Sequence, residues 1–160
     1  MKKIPCLFQR DFQAESGPVA LELVTPGCEW VLAGEGVATR KRDGTSCAVL
    51  GGVLHMRFDA RRGKRVPPGA IACQEPDPIT GHWPHWMPVG TRPEGKWHRV
   101  AWEALQRPLA DGTYELCGPK VGDNAEKLKS HVFYRHGSEV VLDIPRTHEG
   151  LRAWLQRSNM

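Results

Sequence analysis

Lys41 lies between Arg40 and Arg42, just ahead of Asp43-Gly44, in the stretch TRKRDGTSCAVLGG, residues 39–52. A lysine amine attacks an electrophile only after losing its proton, and an ordinary lysine holds that proton up to about pH 10.4. Partial burial and neighbouring cations both favour the free amine. Apolar strand neighbours and an arginine on either side predict both for Lys41. Asp43-Gly44 is turn chemistry, with glycine supplying positive φ, so Lys41 is expected to end a strand and face a cleft. The same residues also read as a hairpin with an Asp-Gly turn and an incidental lysine.

Other residues invite chemistry. RFDARRGK, 57–64, places Arg57, Arg61, Arg62 and Lys64 just after the Gly51-Gly52 turn. Such a cluster is either a solvated face or a surface for nucleic acid or triphosphate. Glu115, in DGTYELCGPK, sits among Tyr114, Leu116 and Cys117. A carboxylate buried there is costly unless it binds a metal, a hydroxyl or a cation. Cys73, His82, His85 and His98 offer zinc donors, although the Cys-to-His spacing matches no common structural site. Trp83 and Trp86 either stack on RNA bases or pack a loop against a sheet. Cys47 reads as a packed residue rather than a nucleophile, with no histidine near it in sequence.

The elements that must position these residues are mostly strands. Apolar or alternating segments at 19–24, 29–33, 36–41, 46–50, 53–58, 97–103, 112–117, 131–135 and 139–144 predict strands. Helical periodicity is clear at 147–157, where Thr147 can cap and Leu151, Trp154 and Leu155 share a face. Residues 101–107 and 124–130 predict a helical turn or two each. The region 66–96, rich in Pro, Gly, Trp and His, reads as a long loop-rich insertion. Strands dominate and helices come late, which predicts an α+β fold on antiparallel sheets, in one domain spanning 1–160.

Composition narrows the class. The chain is 40% hydrophobic and 25% charged, as in ordinary globular proteins. No run approaches the ~18 apolar residues that span a membrane, and MKKIPCLFQRDF lacks the apolar core of a signal peptide. The five cysteines are odd in number and contain no C-x-x-C pair, so a reducing, cytoplasmic setting is expected. The net charge of +4 is compatible with a polyanionic partner.

Taken together, Lys41-Arg42-Asp43-Gly44, Arg57 and Tyr114-Glu115-Leu116-x-Gly118 resemble the covalent nucleotidyltransferase superfamily of polynucleotide ligases and mRNA-capping enzymes. Within it the chain is most similar to a compact type of single-domain phage and bacterial RNA ligase, from about residue 19 onward. Lys41 to Gly44 matches the family's K-x-D-G signature, Arg57 an arginine that contacts the nucleotide, and Glu115 the acidic third motif. CQEPDPITGHWPHW, 73–86, looks like an insertion of that compact type. The resemblance implies an antiparallel-sheet nucleotidyltransferase domain, like the ATP-grasp-related adenylation domain of ligases. It implies ATP and Mg2+ as cofactors and RNA 5′-phosphate and 3′-hydroxyl ends as partners, in a process such as RNA repair. Lys41 would take up AMP; Arg40, Asp43, Gly44, Arg57 and Glu115 would bind the nucleotide, with Glu115 also ordering metal. Phe133 or Tyr134 would stack on adenine or serve as an ordinary core aromatic.

Two further family motifs have no match. Glu149-Gly150-Leu151 imitates a glutamate motif but falls in the first turn of the helix at 147–157, and Lys127-x-Lys129 precedes the last strands. The family pattern therefore predicts a domain incomplete at the C-terminus, with weak ligation. A dimer or a second polypeptide would complete the sheet. The alternatives are a non-catalytic nucleotide- or RNA-binding remnant and a capping-type guanylyltransferase.

Overall fold

The computed structural model describes residues 4–61, 63 and 65–158. Arg62 and Lys64 of the basic cluster lie outside the described residues. The chain divides into two compact units, one formed by Lys41–Ser138 and the other by residues 4–40 with 139–158. Both are mixed α+β, and every sheet pairing is antiparallel. Among the described residues no helix is long and apolar enough to cross a membrane.

The unit of 4–40 and 139–158 holds β1 (Phe8–Asp11) paired with β2 (Val19–Val24), and the short helix α1 (Glu29–Leu32). Residues 29–33, expected as a strand, are thus a helical turn: the Ala33 N–H donates to the Glu29 carbonyl at 3.1 Å. Four apolar residues are too few for periodicity to separate the two states. Segments 36–41 and 139–144, also expected as strands, run antiparallel but pair only at one bridge, Thr39 with Val140. Beyond it, Asp143 takes a left-handed φ of 55°, which ends any ladder. The last helix of the chain, numbered α3 (His148–Ser158), forms as predicted, and Thr147 caps it by accepting the Gly150 N–H at 3.2 Å.

The other unit is a six-stranded sheet. Its strands are β3 (Thr45–Leu50), β4 (Val53–Arg61), β5 (Ile71–Ala72), β6 (His82–Pro88), β7 (Gly112–Cys117) and β8 (Val132–Arg135), in the order β5-β6-β4-β3-β7-β8. The β3–β4 hairpin turns on Gly51 and Gly52, both left-handed at φ 57° and 74°, which matches the right-handed strand twist. The Asp111 carboxylate accepts both of their N–H groups, at 2.6 and 2.9 Å, and these bonds hold its pKa below the usual carboxylate value.

One face of the sheet makes the core. Cys47, Val49, Leu54, Met56, Met87, Tyr114 and Leu116 pack there with Ala101, flanked by Trp97 and Trp102. The last three lie on or beside the inner side of α2 (Lys96–Glu103). Residues 97–103 were expected as a strand; His98 and Ala101, three apart, are both buried, and residues three apart share a face in a helix but not in a strand. Residues 124–130 form turns rather than a helix, because the Asn124 side chain bonds both the N–H and the carbonyl of Leu128 and replaces backbone pairing.

The supposed insertion at 66–96 contains an interior strand. β6 lies between β5 and β4, with Pro84 opposite Asp59 and Pro88 opposite His55. Two prolines disguise it in the sequence. They are tolerated because β5 covers only Trp86 and His85, leaving β6 close to an edge.

Candidate functional site

Side chains alternate across a strand, so the residues between the core positions form a second face of the sheet. There Ser46 lies opposite Glu115, and Glu115 opposite Tyr134. On the other side, Arg57 lies opposite Trp86, and the β3–β4 register carried one step past Cys47–Met56 sets Ser46 beside Arg57. Five strands therefore contribute one row: Trp86, Arg57, Ser46, Glu115, Tyr134. Paired residues of an antiparallel sheet share a face. The sequence offered Arg57 and Glu115 as separate candidates 58 positions apart, and the sheet aligns them one strand removed from each other.

Arg57 and Glu115 each have a side-chain partner. The Arg57 Nε donates to Asp59 Oδ1 at 2.8 Å, and His82 Nε2 lies 3.2 Å from the same oxygen. Glu115 Oε2 lies 2.9 Å from His136 Nε2, with its side chain only 13% exposed. Ser46 Oγ, between Arg57 and Glu115, is buried and has no hydrogen-bond partner. A hydroxyl left so costs about 1–3 kcal/mol, the kind of debt that functional sites carry. Over Tyr134 lies the Arg42 guanidinium, 4.4 Å from the ring centroid, and Arg42 is ion-paired to Glu126.

Lys41 does not end a strand. Residues 41–43 are irregular, β3 starts at Thr45, and Lys41 is exposed. The partial burial expected of it is absent. Gly44 is not left-handed either. A Cβ on Gly44 would lie 2.3 Å from the Leu116 carbonyl oxygen and 2.9 Å from Cys117 Sγ, so the glycine serves close approach to β7 rather than a turn. Asp43 is exposed. Arg40, also exposed, belongs to the other unit, where its backbone N–H donates to the Glu139 carbonyl at 2.9 Å.

The remaining candidates separate cleanly. Phe133 belongs to the core face, edge-on to Trp102 and Tyr114 at 6.3 and 6.5 Å, so of the two aromatics only Tyr134 lies in the row. Trp86 is buried, and Trp83 is tied by its Nε1 to the Gln74 carbonyl at 2.8 Å; both serve packing. His82 and His85, three apart on a strand, point to opposite faces, and His85 Nδ1 is occupied by the Trp83 carbonyl at 2.8 Å. His98 sits on α2 beneath the core face. Among the described residues no three His, Cys, Asp or Glu side chains converge on a point, so the zinc set is not brought together. Cys47 is fully buried, and burial raises its thiol pKa far above the ordinary value. Cys117 is pushed up to about 11 by burial and then by the Glu115 charge.

Ser46, His136 and Glu126 join Arg42, Arg57, Glu115 and Tyr134 on this face, and the first three did not stand out in the sequence. Ser46 and His136 acquire meaning from strand register, which no local pattern encodes.

Comparison with known protein families and with curated proteins finds no match for this chain.

Proposed function

We propose that this chain is an RNA ligase-like nucleotidyltransferase that forms a lysyl-AMP intermediate from ATP on Lys41. The observation that carries the reading is the row Arg57–Ser46–Glu115–Tyr134, together with Lys41 on the segment that leads into its central strand. A cation, a hydroxyl, a carboxylate and an aromatic ring are the groups that phosphate, ribose and base require.

The first step removes the ammonium proton of Lys41. The Nζ lone pair then attacks the α-phosphorus of ATP, the bond to the bridging β-phosphate oxygen breaks, and pyrophosphate leaves with that electron pair. In the second step an oxygen of an RNA 5′-phosphate attacks the same phosphorus and the P–N bond breaks, returning the amine. The 3′-hydroxyl of a second strand finally attacks the 5′-phosphorus and expels AMP. Arg57 would pair with phosphate oxygens, Glu115 and Ser46 with ribose hydroxyls, and Tyr134 would lie along the base. Magnesium usually takes one or two protein carboxylates and completes its shell with phosphate and water. Glu115 fits that role and would hold it; when bound, the ion neutralises charge on the transferring phosphate.

Intact mass after incubation with ATP and magnesium tests the reading, with Lys41→Ala in parallel. A gain of one AMP that the variant loses is the expected result. No gain, from folded protein that binds ATP, would sink the enzymatic reading. It would leave nucleotide or RNA binding without turnover, which the exposure of Lys41 favours.

A further inference from the structure

Two contacts grip the chain on either side of Asp43. At 44, glycine lets the backbone press against Leu116 and Cys117 of β7. At 42, the guanidinium lies over the Tyr134 ring, 4.4 Å from its centroid, and pairs with Glu126. The ion pair is largely withdrawn from water, with side chains 18% and 10% exposed. It links positions 84 residues apart. Lys41, next to this anchor, has an exposed side chain and no strand of its own. A nucleophile on irregular backbone reaches its target reliably only when the neighbouring residue is fixed, because reacting atoms must be held near ~3–3.5 Å.

We propose that Arg42, which as the middle residue of K-x-D-G would pass for a spacer, is a positioning residue that sets where Lys41 presents its amine. The inference rests on the reading of Lys41 as the nucleophile. It assigns Tyr134 a part as the platform under Arg42 and Glu126 a part as its electrostatic anchor. A flat guanidinium satisfies both demands at once, stacking on a ring while its edge meets a carboxylate. Lysine would keep the charge and lose the stack. Methionine would keep the apolar stem and take the guanidinium away from the Glu126 carboxylate.

The test compares the parent with Arg42→Met, Arg42→Lys and Tyr134→Leu, following AMP-adduct formation against ATP concentration. Positioning predicts that the rate at saturating ATP falls at least about tenfold in Arg42→Met, less in Arg42→Lys, while the half-saturating ATP concentration stays within about twofold. Tyr134→Leu keeps the ion pair but also removes the base contact, so if Arg42→Met fails to fold it carries the test through the rate at saturating ATP alone. An unchanged rate would overturn the proposal. So would a rise in half-saturation at constant rate, which would make Arg42 a nucleotide contact. Tighter nucleotide binding in Arg42→Met would overturn it too, because the guanidinium would then be shielding the ring.

A second arm needs no ligase chemistry. A protease specific for lysine should cut after Lys41 at least about fivefold faster in Arg42→Met than in the parent, because the segment opens locally. Equal cutting rates would refute the clamp. If the parent forms no adduct, the reading of Lys41 fails, and the protease arm still decides whether Arg42 anchors the segment.

Discussion

His98 gives the sharpest quantitative prediction. It is 6% exposed, lies on the inner side of α2, and neither ring nitrogen has a hydrogen-bond partner. Beside it is a cavity of about 310 Å³ lined by Thr45, Met56, Phe58, Met87, Arg92 and Glu94, among others. Burial disfavours the charged imidazolium, and the neighbouring Arg99 adds to the penalty, so the pKa falls from 6.5 to about 4. The unfolded chain then binds a proton near pH 6.5 that the folded chain refuses until about pH 4. Between those values the unfolded state holds more protons, and stability must fall as pH falls. The loss is on the order of 3 kcal/mol and is largely complete by pH 4.5. His98→Leu removes the titration and the unpartnered nitrogens together, so at pH 7.5 it should be neutral or slightly stabilising. At pH 4.5 the variant should exceed the parent by a further amount of that order. Urea unfolding between pH 4 and 7.5, read by tryptophan fluorescence, measures both chains. Parallel stability curves for parent and variant would refute the reasoning. So would an imidazole that titrates near pH 6.5 by proton NMR in the folded protein.

Two further outcomes follow from single contacts. Gly44→Ala puts a methyl 2.3 Å from the Leu116 carbonyl, against backbone that cannot swing away; it should cost about 1–3 kcal/mol in urea unfolding and slow adduct formation at Lys41. Asp111→Ala should lower Tm at neutral pH, because its carboxylate bonds to Gly51 and Gly52 depress its pKa. That stabilisation is present above the ordinary carboxylate pKa of about 3.9 and is lost as pH falls through the lower folded value, so the Tm gap should close in acid.

Where the sequence was readable, a local signal agreed with the packing. Gly51-Gly52 between alternating segments announced the β3–β4 hairpin, Asp111-Gly112 announced the start of β7, and Thr147 with Leu151 and Trp154 announced α3. Where it misled, the local signal was outvoted. Lys96–Glu103 is a helix whose spacing buries both His98 and Ala101, three apart, and His82–Pro88 is a strand despite its prolines because β4 pairs along its whole length. Lys41 was assigned a strand end from its apolar neighbours, yet the chain there follows the Arg42 and Gly44 contacts, whose partners lie between 72 and 92 residues away.

The site itself is a matter of register. Ser46 meets Glu115 on one face only because Val49 pairs with Gly112, and a slip of one residue would turn Glu115 into the core face and Leu116 out of it. Hydrophobic pattern resists that slip, since Leu116 and Cys47 are wholly buried. Asp111 resists it as well. Placed one residue before β7, it holds the N–H groups of the β3–β4 turn and so ties the start of one strand to the end of its neighbour. An exposed aspartate far along the chain from Lys41 thereby bears on whether Arg57, Ser46 and Glu115 line up. Asp111→Ala should accordingly disturb the row as well as the turn, and adduct formation should fall more than the change in Tm alone accounts for.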